Sequence, residues 1–582
     1  MQQLLDEISL LLSSSLWDTI QITENQLQTP PKKDLWDLCI ALFDYMKQYK
    51  IWPNHIADTI VSQHNLRDNS VIESISQAWP YLNIKLSKLF YAEVFYSYFS
   101  SKAYYSYKEN QGVVVVDYIW ANVWKPMHIW HLCTPLQWQT CINTFKKLWY
   151  QVIGDSHIGD WWIIFWKLIV WYSYYWDEEQ LKNDAVEHLF EIYVKISSDA
   201  ESNSKLEQDF RDAFKLLASG DASSIVLWKK FTSSSIDSMN ILLNRLFVQP
   251  DYNIGESFYE WLNLPKIEDY PDLKYSMHQI VTELIEKWIA TKNDDNSVGV
   301  IFSDDSKLPS CILQKRDGTH GYLASDLACI KYRIDNWKPS RIIYFVDVRQ
   351  QLHFKQAFEI VKQAWWVGDT VLEHAHNGFI SLKDWAMSTR KWRIIKLSKL
   401  LDEASQRAKN IIVEKRSDFP KNDLEKLSEI VGIGAVKYWY LKKSRELDSV
   451  FDWEEFMTFE WNSWPYLQYA YVRARKILLQ ADTNNFTEMK FEFTLDKETQ
   501  FIQKLLDFPS VIDEISENYN FHQLCLYLYE LTKIFSSFYN DVEVLSENND
   551  VLKYSRLALL KCFTEILEEW FWVLGIQLPH EM

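Results

Sequence analysis

Two histidines three residues apart in 125-KPMHIWHL-132, His128 and His131, are the first residues here whose type and spacing suggest chemistry. Three readings are open. A zinc site needs a third ligand, and no nearby cysteine or HExxH partner is present. Two histidines can be ordinary members of a core. The third reading rests on the surroundings: a buried strand, Asn122 and a Lys-Pro precede the pair, which opens a helix. Imidazole N–H groups and a helix N-terminus then converge on one point. Such a point binds a nucleotide phosphate and strengthens its grip as charge develops in phosphoryl chemistry.

The residue between the histidines conflicts with that third reading. Trp130 is the largest side chain available, at a place where a ligand needs to approach the backbone. Composition bears on this conflict. The chain has 13 Gly and 28 Trp in 582 residues, whereas glycine averages about 7%. Several tryptophans occupy glycine-like places: Trp36 in 34-DLWD-37, Trp79 in 78-AWP-80, Trp385 after Asp384, and Trp461 and Trp464 in 461-WNSWP-465. Turns and helix ends need residues tolerant of positive φ. Many of these positions are therefore expected to be glycine in the cell, the gene reading UGA as glycine where the printed translation has tryptophan. The alternative is an aromatic-rich binding or membrane-associated protein with its tryptophans on one exposed face.

The elements expected to position the histidines alternate strands and helices. Four consecutive valines in 112-GVVVVDYI-119 read as a strand buried on both faces, as in a parallel sheet, and 341-RIIYFVDV-348 reads as a second. Between them, 177–300 is acidic and helical, as in 186-VEHLFEIYVKI-196, and is expected to be a helical insertion. Residues 1–110 mix helical patterns with polar loops such as 26-QLQTPPKKD-34 and form a separate small domain. From about 395 onward the pattern is helical to the end, including 423-DLEKLSEIVGIGAVKYWYLKK-443 and 553-KYSRLALLKCFTEILEE-569. The run 432-GIGAVK-437 follows a helical pattern rather than a strand and lacks a third glycine, which argues against a dinucleotide site; the family resemblance described below matches it to a helix start.

Length gives room for three or four domains. The start carries no basic region before an apolar run, so no secretory signal is expected. The stretch 161-WWIIFWKLIVWYSYYW-176 contains Lys167 and is shorter than the roughly 20 apolar residues a membrane span requires. It reads as core. Seven cysteines form no CxxC and no Cys/His cluster, which points to a reducing compartment and away from structural zinc. The net charge of −18 argues mildly against nucleic acid, although local basic faces decide phosphate contact.

The stretch 121-ANVWKPMHIWHL-132 resembles the HIGH signature of class I aminoacyl-tRNA synthetases, and the whole chain resembles arginyl-tRNA synthetases. Further similar segments occur in the family's order: 157-HIGDWW-162, 317-DGTHGYLASDLACIKYR-333, 349-RQQLHFKQ-356, 387-MSTRKW-392, 451-FDWEEFMTFEWNSWPYLQYAYVRAR-475 and 574-LGIQLPHEM-582. They fall into register when the suspect tryptophans are read as glycine, while Trp161 and Trp453 stand where the family itself has tryptophan.

The resemblance implies an α/β plus all-α fold: a split Rossmann-like parallel-sheet catalytic domain with a helical insertion, an N-terminal α+β domain and a C-terminal helical bundle. The implied division is a tRNA-elbow domain over 1–110, a catalytic domain over 111–400 with its insertion at about 177–300, a helical connection over 401–455 and an anticodon-binding domain over 456–582. It implies that arginine is activated with ATP, entering with Mg2+, to arginyl-adenylate and passed to the 3′ end of its tRNA. No bound metal, no organic cofactor and no membrane are implied, and the protein is expected to be a cytoplasmic monomer.

The resemblance carries roles to particular residues. His128 and His131 are the implied catalytic histidines. Trp130 and His374, with Met387, Ser388, Thr389, Arg390 and Lys391 of the second signature loop, fall at ATP-binding places. Ala386 stands where that loop's first lysine belongs, so Lys125 is the expected source of the missing charge. Cys133 replaces an arginine common after the first signature.

Asn122 and Gln350 match the residues that hold the amino acid's α-groups. Asp117, Tyr322 and Asp326 match positions around its side chain. A guanidinium, with five donors in a planar fork, asks for paired carboxylate acceptors, though Asp326 could instead cap a helix beginning at 327-LACIKY-332. Tyrosines interleaved with Arg and Lys in 437-KYWYLKKSR-445 and 466-YLQYAYVRARK-476 suit phosphate contact and base stacking. Tyr466, Tyr469, Arg473 and Arg475, with Phe538 and Tyr539 from 521-FHQLCLYLYELTKIFSSFY-539, are the expected tRNA contacts. The alternative is a synthetase-like chain that holds tRNA without activating arginine, for which Ala386 and Cys133 leave room.

Overall fold

A computed structural model describes residues 2–28, 30, 36–64, 71–78, 80–104, 111–118, 126–160, 168–170, 185–200, 221–260, 270–382, 395–416, 419–452, 463–481 and 490–579, with isolated residues at 172, 179, 206, 208–210, 212–213 and 216. Two compact units result. One comprises residues 1–106, 470–510 and 529–567, and the other 107–469, 511–528 and 568–582.

The second unit is built on a four-stranded parallel sheet in the order Val371–His374, Arg341–Tyr344, Val113–Tyr118, Gln151–Ser156. The valine run is central in it, with Val114, Val115 and Val116 all at 0% exposure. That is why the run is apolar without alternation: both faces of a central parallel strand are covered. Helices Cys133–Lys147 and Gln351–Gln363 make the crossovers to the neighbouring strands, and helix Tyr322–Trp337 precedes the second strand. Ile342, Leu327, Ala357 and Ile360 belong to the core cluster between them.

Two expectations of purely helical texture are corrected. The end of the expected insertion forms an antiparallel sheet of three short strands, Ala290–Lys292, Val298–Val300 and Cys311–Gln314. Beyond 395, strand Ser449–Phe451 pairs in parallel with Ile380–Leu382. Strands of three residues are too short for a period-2 pattern to show.

The run 432-GIGAVK-437 is also not a helix start; it lies deep inside helix Lys421–Leu441. Gly432 is there for close packing, because a Cβ on it would stand 2.7 Å from the Ala404 carbonyl of helix Leu397–Lys415. At the far end of the same run, Lys437 is fully buried and donates to the carbonyls of Leu246 and Gly575. Gly575 has φ +63, and a Cβ there would meet the Lys437 ammonium. Burial lowers the Lys437 pKa to about 7. Between pH 7 and the ordinary lysine value, the unfolded chain therefore holds a proton the folded chain lacks. Stability is expected to rise with pH across that window relative to Lys437→Met, and denaturation midpoints at pH 7 and 9.5 would show it.

The first unit carries an antiparallel sheet in the order Leu27–Gln28, Leu38–Ala41, Tyr81–Leu86, Ile72–Ala78, with helices Pro53–His64 and Lys88–Ser100. Its helical part includes Asp496–Leu506 and most of Phe521–Asp541. Arg556 is buried there between Glu498 and Glu547.

Four helix ends share one feature. Trp17, Trp149, Trp288 and Trp365 have φ of 56, 64, 61 and 60°. They come after helices Gln2–Leu16, Cys133–Lys147, Met277–Glu286 and Gln351–Gln363. The next amide in each case reaches back five residues: Asp18 to Ser13, Tyr150 to Phe145, Ile289 to Leu284 and Trp366 to Val361. This is the Schellman ending, whose left-handed residue is ordinarily glycine. Exposure of these four side chains runs from 56 to 94%. Elsewhere the indole N–H groups of buried Trp439 and Trp464 have no acceptor among the described residues.

Candidate active site

The central strand ends at Tyr118, and the described residues resume at Pro126. Asn122 and Lys125 lie between and fall outside the described residues, as do Met387 to Lys391. Past Met127 the backbone forms a 3-10 turn, Ile129–Leu132, running into helix Cys133–Lys147. The turn is pinned to the start of helix Leu397–Lys415: the Ile129 amide donates to the Ile395 carbonyl at 3.1 Å, and the Leu397 amide to Met127 at 2.9 Å. Residues 395–397 are thus fastened to the histidine turn.

Within the turn the histidines are tied to one another. The His128 amide donates to His131 Nδ1 at 3.1 Å, the His131 amide donates back to the His128 carbonyl at 2.8 Å, and the rings lie 3.8 Å apart. Because Nδ1 of His131 accepts, the neutral ring carries its proton on Nε2. Paired imidazoles at the entry to a helix offer donors to an anion there. Trp130 points outward at 40% exposure with its ring 5.1 Å from His128, edge to face. Cys133 is buried against Tyr440, and burial pushes its thiol up to about 12.

At the carboxyl end of its strand, Asp117, which the resemblance placed around the arginine side chain, is buried in an ion pair. Arg333 is fully buried and holds Asp117 at 2.5 Å and Asp155 at 2.6 Å. Burial opposes the guanidinium's charge, but Asp117 and Asp155 raise its pKa well above the ordinary value. With both carboxylates at 0% exposure, Asp117 serves an internal ion pair.

Asp326 differs from the helix-cap reading. Helix Tyr322–Trp337 begins after Gly321, so Asp326 lies in its second turn and caps nothing. Its Oδ2 is 2.5 Å from His353 Nε2, and its Oδ1 is 3.6 Å from His157 Nε2. Tyr322 stands one turn earlier, 53% exposed, its phenol raised by burial and then by the nearby charge of Glu256.

Glu256, 5% exposed, was not singled out by sequence. The preceding residue, Gly255, packs so closely on Asp160 that a Cβ would lie 2.3 Å from its carboxylate. Asp160 accepts from the Ser257 amide and hydroxyl at 2.9 and 2.6 Å. The conspicuous 157-HIGD-160 segment therefore holds Glu256 in place, and glycine followed by an acid and a serine was the available signal. Gln350 ends the 3-10 turn Val348–Gln350 and is exposed. His374 Nε2 lies 3.0 Å from the Val346 carbonyl, and burial lowers its pKa to about 4, which keeps the ring neutral at pH 7.

Among the expected RNA contacts, Tyr466, Tyr469, Arg473 and Arg475 share helix Trp464–Gln480, with Tyr469 48% exposed. Arg473 sits 5.0 Å over the Tyr539 ring. Phe538, at 1% exposure and 5.5 Å from Phe501, faces the bundle core. No described helix is long and apolar enough to cross a membrane, and no group of three or more His, Cys, Asp or Glu among the described residues could hold a metal.

Comparison with known families gives three consecutive matches. The profile for class I (R) tRNA synthetases, catalytic domain, covers residues 96–453. The arginyl tRNA synthetase N terminal domain covers 2–86, and the DALR anticodon binding domain covers 467–582. The arginine–tRNA ligase of Fusobacterium nucleatum is 34% identical over 536 residues, 91% of this chain and 90% of that protein. The arginine–tRNA ligase of Clostridium botulinum strain Alaska E43 is 32% identical over 583 residues, 99% of each. Among solved structures, arginyl-tRNA synthetase from Plasmodium falciparum superposes with a TM-score of 0.74 at 22% identity, covering 100% of this chain and 99% of that one. The Thermus thermophilus enzyme gives 0.71 at 20%, with all of both chains covered. These two likenesses bear on the fold.

Proposed function

Because this chain belongs to the class I arginyl-tRNA synthetase family, we propose how its own residues divide the work of an arginine–tRNA ligase. Arginine and ATP form arginyl-adenylate with loss of pyrophosphate, and the arginyl group then passes to the 3′ end of tRNA(Arg). Magnesium enters with ATP as part of the substrate. The observation that carries the reading is the mutually hydrogen-bonded His128–His131 pair at the carboxyl end of a buried parallel sheet.

The histidine N–H groups meet the ATP phosphates and stabilise charge on the pentacoordinate phosphorus as the arginine carboxylate attacks. Met387, Ser388, Thr389, Arg390 and Lys391 bind the nucleotide, and Lys125 supplies the charge that Ala386 lacks. His374, held neutral, lines the adenosine side. Asn122 and Gln350 hold the α-amino and carboxylate groups. The arginine guanidinium is met by Asp326 and Glu256 beside Tyr322, while Asp117 acts indirectly by fixing Arg333. tRNA is held at its elbow by residues 1–110 and at its anticodon by 456–582, with Tyr466, Tyr469, Arg473, Arg475 and Tyr539 as contacts. Activation requires bound tRNA, whose binding assembles the site. The protein works as a cytoplasmic monomer, in keeping with its seven unpaired cysteines.

The same reading proposes that tryptophans at left-handed helix ends and at position 130 are glycine in the cell, UGA being read as glycine. The positive φ and the exposure of Trp17, Trp149, Trp288 and Trp365 support it. Mass spectrometry of the native protein tests it residue by residue, and tryptophan found at 130 would refute it.

Two substitutions test the mechanism. His131→Ala is expected to lower kcat for adenylate formation about 10²- to 10³-fold with arginine affinity retained. Lys125→Ala is expected to slow the same step more than Arg390→Ala does. Both are read by arginine-dependent ATP–pyrophosphate exchange with and without tRNA. Tight tRNA binding without exchange would leave only the tRNA-holding alternative.

A further inference from the structure

Asp326 is 4% exposed, and the rotation of its carboxylate about χ2 is intrinsically soft. A flat guanidinium fork demands a fixed carboxylate plane, so something must set that angle. The close polar partner of Oδ2 is His353, third residue of helix Gln351–Gln363, whose Nε2 lies 2.5 Å away. His157, on the other side, stands 3.6 Å from Oδ1, beyond hydrogen-bond range, and 3.4 Å from the Ser325 hydroxyl. One oxygen is thus committed and the other is less so. A carboxylate offers about four acceptor positions, so one histidine bond leaves room for two parallel donors.

We propose that His353 is a positioning residue for substrate recognition: it donates from Nε2 to Asp326 Oδ2 and locks the carboxylate in the plane that accepts the arginine guanidinium. This rests on the assignment of Asp326 to the arginine side chain given above. The His353 ring also lies edge-on to Phe354, with centroids 5.7 Å apart.

The test is calorimetric titration of L-arginine, and separately of ATP, into the full-length chain and its variants. His353→Ala is expected to weaken arginine about tenfold or more, the worth of a hydrogen bond to a charged group, with ATP affinity unchanged within twofold. His353→Gln, which retains an N–H donor, is expected to recover most of the loss. Unchanged arginine affinity in His353→Ala overturns the proposal. Equal losses for arginine and ATP, or no recovery with glutamine, also overturn it, since the residue would then be only structural. Asp326→Asn separates the two layers. If it binds arginine normally, the assignment of Asp326 fails first; if it binds poorly while His353→Ala binds normally, only the role of His353 fails.

Discussion

Protein carrying glycine at position 130 will catalyse tRNA-stimulated ATP–pyrophosphate exchange at least about 10³-fold faster than the same chain with tryptophan there. The turn Ile129–Leu132 places residue 130 between the two signature histidines, and the indole lies edge-on to His128 at 5.1 Å. On the proposed assignment, the adenine ring of ATP lies against the backbone of this turn. The indole occupies that approach. Displacing reacting groups by about 1 Å costs on the order of 10² in rate, and weakening a preorganised donor adds a comparable factor. The experiment is paired exchange assays on the two proteins, with arginine affinity measured alongside. Equal exchange rates would mean that the indole swings clear, and the steric argument would be lost.

The second large effect is on stability. Replacing Trp17, Trp149, Trp288 and Trp365 together by glycine is expected to stabilise the fold by about 2–4 kcal/mol. A left-handed residue with a Cβ costs about 1–2 kcal/mol, and the added freedom of glycine in the unfolded chain returns roughly 0.4–1 kcal/mol. At Trp17, Trp288 and Trp365, exposed 90% or more, almost no packing is lost. Against a typical total of about 5–15 kcal/mol, the change is large. Trp228 is the control: it is 6% exposed and donates its indole N–H to the Asp160 carbonyl at 2.9 Å. Trp228→Gly should destabilise by about 3–5 kcal/mol, as large core truncations do. Denaturant midpoints for the fourfold variant and the control decide it. A fourfold variant less stable than its parent would place those tryptophans among the chain's genuine residues.

The sequence was legible where one element's pattern contains the information. Four valines in a row announce a strand covered on both faces, and Val114–Val116 are buried as that pattern requires. The histidine turn was legible for the same local reason. What was not legible depends on distant partners. Nothing near Asp117 reveals that Arg333 will occupy it, because the pair meets only when the helix Tyr322–Trp337 docks on the sheet. Asp326 resembled a cap because the true start, at Gly321, comes after a polar turn and is set by backbone geometry rather than by a capping side chain. Phe538 was expected at the RNA because its segment resembles the anticodon-binding domain, and resemblance does not say which face of a helix meets the core; its burial beside Phe501 is a tertiary outcome.

The central strand has a consequence for how the molecule is made. One edge of Val113–Tyr118 pairs with Gln151–Ser156, close in the chain, but its other edge awaits Arg341–Tyr344. The Ser340 hydroxyl that donates to the Val113 carbonyl is 227 residues distant. Closing so long a loop adds entropy cost only logarithmically, so the finished sheet is little penalised. The penalty is kinetic. Non-local parallel pairing is slow, and until residues 341–344 arrive the valine run presents an apolar, unpaired edge of the kind that seeds aggregation. During synthesis, the strand that leads into the signature turn is therefore the segment most in need of protection.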